Sequence, residues 1–340
     1  AVLKADPALV NVVDGEMRTP LHLASIAGHA DVVKVIVGIP DVQLPNKDRN
    51  GFTCIAHAAM GGHAEIVKTL IGKDKSLVSM GDRAGKSPFD LAAEFGKSAG
   101  HWEAAEALLD ADATLISGNE PAKDPATGPA QSALHYAAQF GTMEGIKLIL
   151  ARDQNMIKSK NKENNTPLHM AAAGGHLAVL NELIRVNEGV GDANIEGSNL
   201  MHLACAGGHL EVVSALLKSH PDLAKEKDKK GRSCIFSASL SKKPDPKVAK
   251  ALINALPDLL FVTDPDGKTV LHHVAEVGSC EDLVWLYAEK GGAKLVKIQD
   301  GNGDDVLAKA APNCVQILED ILEREQDDNS NAPAGTKYSV

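Results

Sequence analysis

An all-α solenoid, built from stacked helix pairs joined by short β-hairpin-like turns, is the fold this 340-residue sequence predicts. Three observations predict it. One helix–turn–helix pattern recurs nine times at a near-constant step. In most copies the apolar residues fall at helical spacing in two runs parted by a glycine. Hydrophobic residues make up 44% of the chain and charged residues 24%, which is enough apolar material for a core and argues against global disorder.

The copies begin at Thr19, Thr53, Ser87, Ser132, Thr166, Asn199, Ser233, Thr269 and Asp305, in steps of 34, 34, 45, 34, 33, 34, 36 and 36 residues. The first reads TPLHLASIAGHADVVKVIV and the fifth TPLHMAAAGGHLAVLNELI. Thr19 and Thr166 suit a helix N-cap, and Pro20 and Pro167 suit the first helical turn. Leu21, Leu23 and Ala24 start a short apolar face, which Gly28 ends in a left-handed conformation, as Gly175 does in the fifth copy. A second helix follows with Val32, Val33, Ile36 and Val37 at helical spacing. Asp48–Gly51, Asp82–Gly85 and Asp228–Gly231 supply tight-turn chemistry between copies. One such pair cannot bury its own apolar face, so neighbours must stack.

This pattern resembles the ankyrin repeat, whose signature is T-P-L-H-x-A, and the resemblance extends from the first residues to about Glu325. It divides the chain into an array over 1–325, opening with a partial repeat at 1–18, and a flexible polar tail over 326–340. Three departures stand out. Lys97–Gly100 is inserted between the helices of repeat three. Residues 116–131 lengthen the connection before repeat four. Lys243-Pro244-Asp245-Pro246 disturbs the inter-helix turn of repeat seven.

The motifs that suggest chemistry have plainer readings. Most of the 13 histidines occupy two repeat positions: His22, His135, His169, His202 and His272 in the TPLH slot, and His29, His63, His101, His176 and His209 after the glycine. They recur because the repeat does, and the resemblance makes the first set structural hydrogen-bonders rather than zinc ligands. Gly81–Ser87 is one residue short of a phosphate-binding loop. Asp300–Asp305 puts an aspartate where a calcium loop needs glycine. No catalytic constellation, metal or cofactor is expected. Five cysteines without a Cys-x-x-Cys fit free thiols in a reducing, cytoplasmic setting. A net charge of -10, few aromatics and the lack of a long apolar stretch argue against a basic nucleic-acid binder and a membrane span.

The resemblance implies a non-catalytic scaffold that binds a protein or peptide on a concave surface. Carried over residue by residue, the contact strip comprises Ile26, Met60, Phe95 and Phe140, with Leu240 an approximate match in repeat seven. Cations at the turn tips (Arg49, Arg83, Lys86, Lys229, Lys230 and Arg232) would orient a ligand bearing acidic residues. The window 218–250 concentrates this charge, with ten basic residues against four acidic ones. Repeats five and six carry almost no side chain at the equivalent positions, which would admit a partner close to the backbone. The alternative is a targeting or regulatory region of a larger enzyme or channel, which the opening at Ala1 rather than Met suggests.

Overall fold

The computed structural model describes residues 7–117, 131–186, 190–278 and 280–330. Residues 1–6 of the partial repeat, 118–130 of the connection before repeat four and the last ten residues lie outside the described residues. The chain divides into two units, residues 1–171 with 178–188 and residues 172–177 with 189–340.

In unit 1 the helices pair as α1 (Pro20–Ile26) with α2 (Ala30–Val37), α3 (Cys54–Met60) with α4 (Ala64–Lys73), α5 (Pro88–Glu94) with α6 (Ala99–Ala111), and α7 (Ala133–Phe140) with α8 (Met143–Arg152). First helices stack on first helices, α1 on α3 on α5 on α7, and second helices likewise, α2 on α4 on α6 on α8. The core lies between these two layers, where Leu21, Ile36, Ile55, Ile66, Leu70, Phe89, Leu108 and Leu134 are fully buried. The next pair is α9 (Pro167–Gly174) with α10 (Leu177–Val186).

Unit 2 repeats the scheme with α11 (Leu200–Ala206), α12 (Leu210–Ser219), α13 (Cys234–Ser239), α14 (Pro246–Ala255), α15 (Val270–Val277) and α16 (Glu281–Val296). Here α11 packs on α13 and α13 on α15, while α12 packs on α14 and α14 on α16. The array is an all-α solenoid; among the described residues extended pairing is limited to one bridge, Thr263 with Thr269.

The ninth repeat keeps only half of its pair. Its first helix shrinks to a 3-10 turn at Leu307–Lys309 before α17 (Pro312–Ser330), which packs on α16. Pro312 is the cause: it disfavours the helical conformation in the residue before it and starts a new helix itself. The helix α17 runs past Gln326, where the sequence turns polar.

Each of seven described connections folds around one carboxylate or amide. Asp48 Oδ1 accepts from Asn50 N and Phe52 N, both at 2.9 Å, while Asp48 N donates to Phe52 O. Asp82, Asn161, Asn194, Asp228, Asp264 and Asp300 accept the same two N–H groups in their own turns. This Asx cradle satisfies tip amides that no helix can reach. It also links tips: Arg49 N donates to Glu16 O at 2.9 Å and, in unit 2, Lys229 N to Glu196 O at 2.9 Å.

Candidate partner-binding surface

The TPLH histidines are structural. The Nδ1 of His22 lies 2.8 Å from Thr19 Oγ1 and accepts from Thr19 N at 3.2 Å, closing a capping box in which histidine stands in for glutamate. Its Nε2 lies 3.1 Å from Asn46 O and 3.2 Å from Phe52 O. One neutral tautomer, with the proton on Nε2, satisfies all four contacts. His135 does the same with Ser132 and Asn165 O. Burial lowers the pKa of His22, His135, His202 and His272, which keeps these rings neutral.

Three of the histidines after the glycine join successive repeats. His63 Nε2 lies 3.4 Å from Ile26 O, His101 Nε2 3.1 Å from Met60 O, and His209 Nε2 2.8 Å from Ala173 O. Each ring ties down the carbonyl end of the preceding first helix, which is where the predicted strip lies. The missing side chains at Gly61 and Gly207 have the same explanation. A Cβ there would lie 2.5 Å from His63 Nε2 and 2.4 Å from His209 Nε2 respectively, so at Gly207 in repeat six the chain's own ring fills the space read as an opening for a partner. Gly28 combines a φ of +72° with a His63 ring that would lie 2.6 Å from its Cβ.

Unit 1 brings four of the predicted strip residues into one row. Ile26, Met60 and Phe140 end α1, α3 and α7, and Phe95 follows α5 directly. Ile26 and Phe95 are each 41% exposed, whereas Met60 and Phe140 are half-buried. Phe140 stacks on Tyr136 with ring centroids 6.4 Å apart and also carries Lys97, whose Nζ lies 5.5 Å from the ring centroid. Leu240 follows α13 in unit 2 and is 37% exposed; Val277, at the end of α15, is more open at 63%.

The predicted cations differ in how their charge is met. Arg49 faces Glu16 at 3.5 Å, Lys86 pairs with Glu94 at 2.6 Å, and Arg232 lies 3.6 Å from Asp228. Arg83 lies over Gly51 of the preceding tip. Arg83, Lys229 and Lys230 are exposed and have no carboxylate within 4.0 Å among the described residues. The basic window of repeats six and seven does not form one patch. Lys229 and Lys230 sit at the turn before α13, and Lys242 and Lys243 follow it, at opposite ends of a helix about 9 Å long.

Sequence reasoning missed three features. Tyr136 and Lys97 complete an aromatic and cationic cluster, and the signal was the insertion itself, which brings Lys97 to the next repeat. Apolar side chains are also exposed on the first helix pair, at Leu23, Val32 and Val35. Repeat equivalents of the first two, Leu91 and Ile66, are buried beneath the preceding helix pair, and among the described residues no helix pair precedes α1. Third, His57 and His273 reach back to their own turns, with Nε2 2.9 Å from Asp48 Oδ2 and 2.7 Å from Asp264 Oδ2. Among the described residues no three His, Cys, Asp or Glu side chains gather as a metal would require, and no helix is long and apolar enough to cross a membrane.

A family model described as Ankyrin repeats (3 copies) matches residues 21–117, 114–193 and 175–259. Human Rabankyrin-5 is 26% identical over 186 residues, covering 53% of this chain and 12% of its own length. A Caenorhabditis elegans homolog of transient receptor potential cation channel subfamily A member 1 is 27% identical over 178 residues, covering 52% of this chain and 13% of its own. The chain thus spans about an eighth of the length of these curated relatives. The crystal structure of the ankyrin repeat domain of Bcl-3 superposes with a TM-score of 0.50 at 23% identity, over 70% of this chain and 99% of that one, a likeness of fold.

Proposed function

The chain belongs to the ankyrin-repeat family, whose repeats generally mediate protein–protein interaction, and on that premise we propose that it is a non-catalytic scaffold holding a protein or peptide partner along the row Ile26, Met60, Phe95 and Phe140. One observation carries this reading. Four large apolar residues stand at the ends of successive first helices in unit 1, and the chain's own histidines hold the carbonyls of two of them, Ile26 and Met60. A row held this way needs little ordering when a partner arrives, so more of the contact energy appears as affinity. The tip cation Arg83 lies along the same repeats and would speed and orient the approach of an acidic partner, while Lys229 and Lys230 would do so in unit 2. The reading places the work inside the cell, where five free thiols persist.

The test is a phage-displayed random-peptide library panned on the full chain, with the selected peptides titrated by calorimetry. Phe95→Ala combined with Phe140→Ala is expected to weaken the selected peptides by about tenfold or more, as loss of central aromatic contacts does, while leaving the circular dichroism melt cooperative. Unchanged affinity for every selected peptide would remove the row from the proposal.

A further inference from the structure

The insertion in repeat three is more than added length. Two of its four residues, Ala99 and Gly100, open α6, which at 13 residues exceeds the 8 to 10 of α2, α4 and α8. Gly100 packs against repeat two so closely that a Cβ would lie 2.5 Å from Gly62 O. On the other side Lys97 lies over Phe140 of repeat four. The insertion therefore spans both neighbours and sets a lysine within an apolar row.

The electrostatics of that lysine are unlike those of Lys86, the tip cation just before the same repeat. Lys86 is matched by Glu94 at 2.6 Å. Lys97 is exposed and has no carboxylate within 4.0 Å among the described residues; its neighbours are the Phe140 ring and His101, whose pKa is lowered by burial first and by Lys97 as well. A cation resting on an aromatic face in water is weakly held. A carboxylate arriving with a partner would draw it off that face and uncover the ring.

We infer that the Phe95–Phe140 row takes a peptide segment in which an apolar side chain is neighboured by a carboxylate: the carboxylate pairs with Lys97 Nζ and the apolar group covers the faces of Phe95 and Phe140. This deepens the functional reading above and rests on it. The segment has one apolar anchor and one acidic contact because Lys97, exposed and without a carboxylate partner among the described residues, lies over the Phe140 ring two residues after Phe95. A basic segment is rejected by the same lysine.

Peptides selected from the random library on the full chain test this. Asp or Glu should be enriched within two or three positions of an apolar residue. Lys97→Glu should weaken those peptides by about tenfold and Lys97→Met by less, because the methionine keeps the apolar stem and loses only the charge. Raising salt from 50 to 500 mM should shrink the difference between wild type and Lys97→Glu. Peptides that lose affinity in the Phe95→Ala/Phe140→Ala variant but bind Lys97→Glu unchanged would overturn the acidic assignment and leave the row standing. Peptides indifferent to both variants would overturn the row as well, as would a selection that yields no binder. Lys97 is exposed and outside the core, so a folded Lys97→Glu protein is expected, and its melt confirms that the comparison is one of binding.

Discussion

Asp48 shows how much a single polar side chain carries in this chain. Its Oδ1 accepts two backbone N–H groups of its turn, and its Oδ2 faces His57 Nε2 at 2.9 Å. Burial pushes the carboxyl pKa up, yet the Phe52 N–H and His57 outweigh it and the net direction is down. Asn161 and Asn194 build equal turns with one amide oxygen each, so the negative charge is not what shapes the loop. Asp48→Ala would leave two tip amides and the His57 ring without their acceptor, at a cost of about 2–3 kcal/mol, whereas Asp48→Asn should cost under about 1 kcal/mol. Urea unfolding of the two variants separates them, and equal losses would show that the cradle contributes nothing beyond side-chain volume. The same reasoning limits the two kinds of histidine. The TPLH rings of His22 and His135 are tied into their own caps and the next turn, and His63, His101 and His209 tie successive repeats together.

Among the elements, the inserted start of α6 is the most individual. Gly100 faces the backbone of Gly62 rather than a yielding side chain, so Gly100→Ala must push α6 away from repeat two. Gly72, near the end of α4, has nothing within 4 Å of its Cβ position. The expected outcomes have opposite signs: Gly100→Ala destabilises by about 1–3 kcal/mol, as other overpacked contacts do, and Gly72→Ala stabilises by about 0.5–1 kcal/mol through helix propensity. Thermal melts of both variants decide it, and a stabilised Gly100→Ala would mean that the insertion is not seated on repeat two. Elements are also the level at which the sequence was most legible. Caps, Pro at the first turn and the closing glycine are local chemistry repeated along the chain, so the first helices begin one residue after Thr19, Thr53, Ser87 and Ser132. The loss of the first helix in repeat nine was harder to see, because it depends on one proline placed four residues before the point where the second helix starts in most other repeats. The surface was legible only in part. Exposure of Ile26 and Phe95 follows from repeat position, but the cover over Phe140, the pairing of Lys86 with Glu94 and the ring filling the space at Gly207 are contacts between repeats. Spacing along the chain fixes which residues share a layer and leaves open which long side chain lies on which.

For the whole molecule, stability in a repeat array is a sum over adjacent interfaces, so a feature present in many repeats is multiplied. The buried neutral histidine is such a feature. His22, His101 and His135 in unit 1, and His202 and His272 in unit 2, all have pKa values lowered from 6.5, with burial the first cause in each. In the unfolded chain these rings titrate near 6.5, and in the folded chain they resist protonation to lower pH. Well above pH 6.5 both states hold neutral rings and the folded array keeps its full stability. As pH falls from there towards the folded values, the unfolded state takes up protons that the folded state refuses, and stability declines. Protonation also puts a hydrogen on the Nδ1 that accepts from Thr19 N or Ser132 N, so the cap is opposed directly. The expected result is a urea midpoint that falls steadily from pH 7 to pH 5, before carboxylates titrate, with net proton uptake on unfolding near pH 6. Substituting one ring by a neutral amide that still accepts from the cap, as in His135→Asn, should flatten that decline by about one histidine's share while lowering stability at pH 7. A midpoint that is level or rises between pH 7 and pH 5 would mean that these rings are not held neutral by the stack.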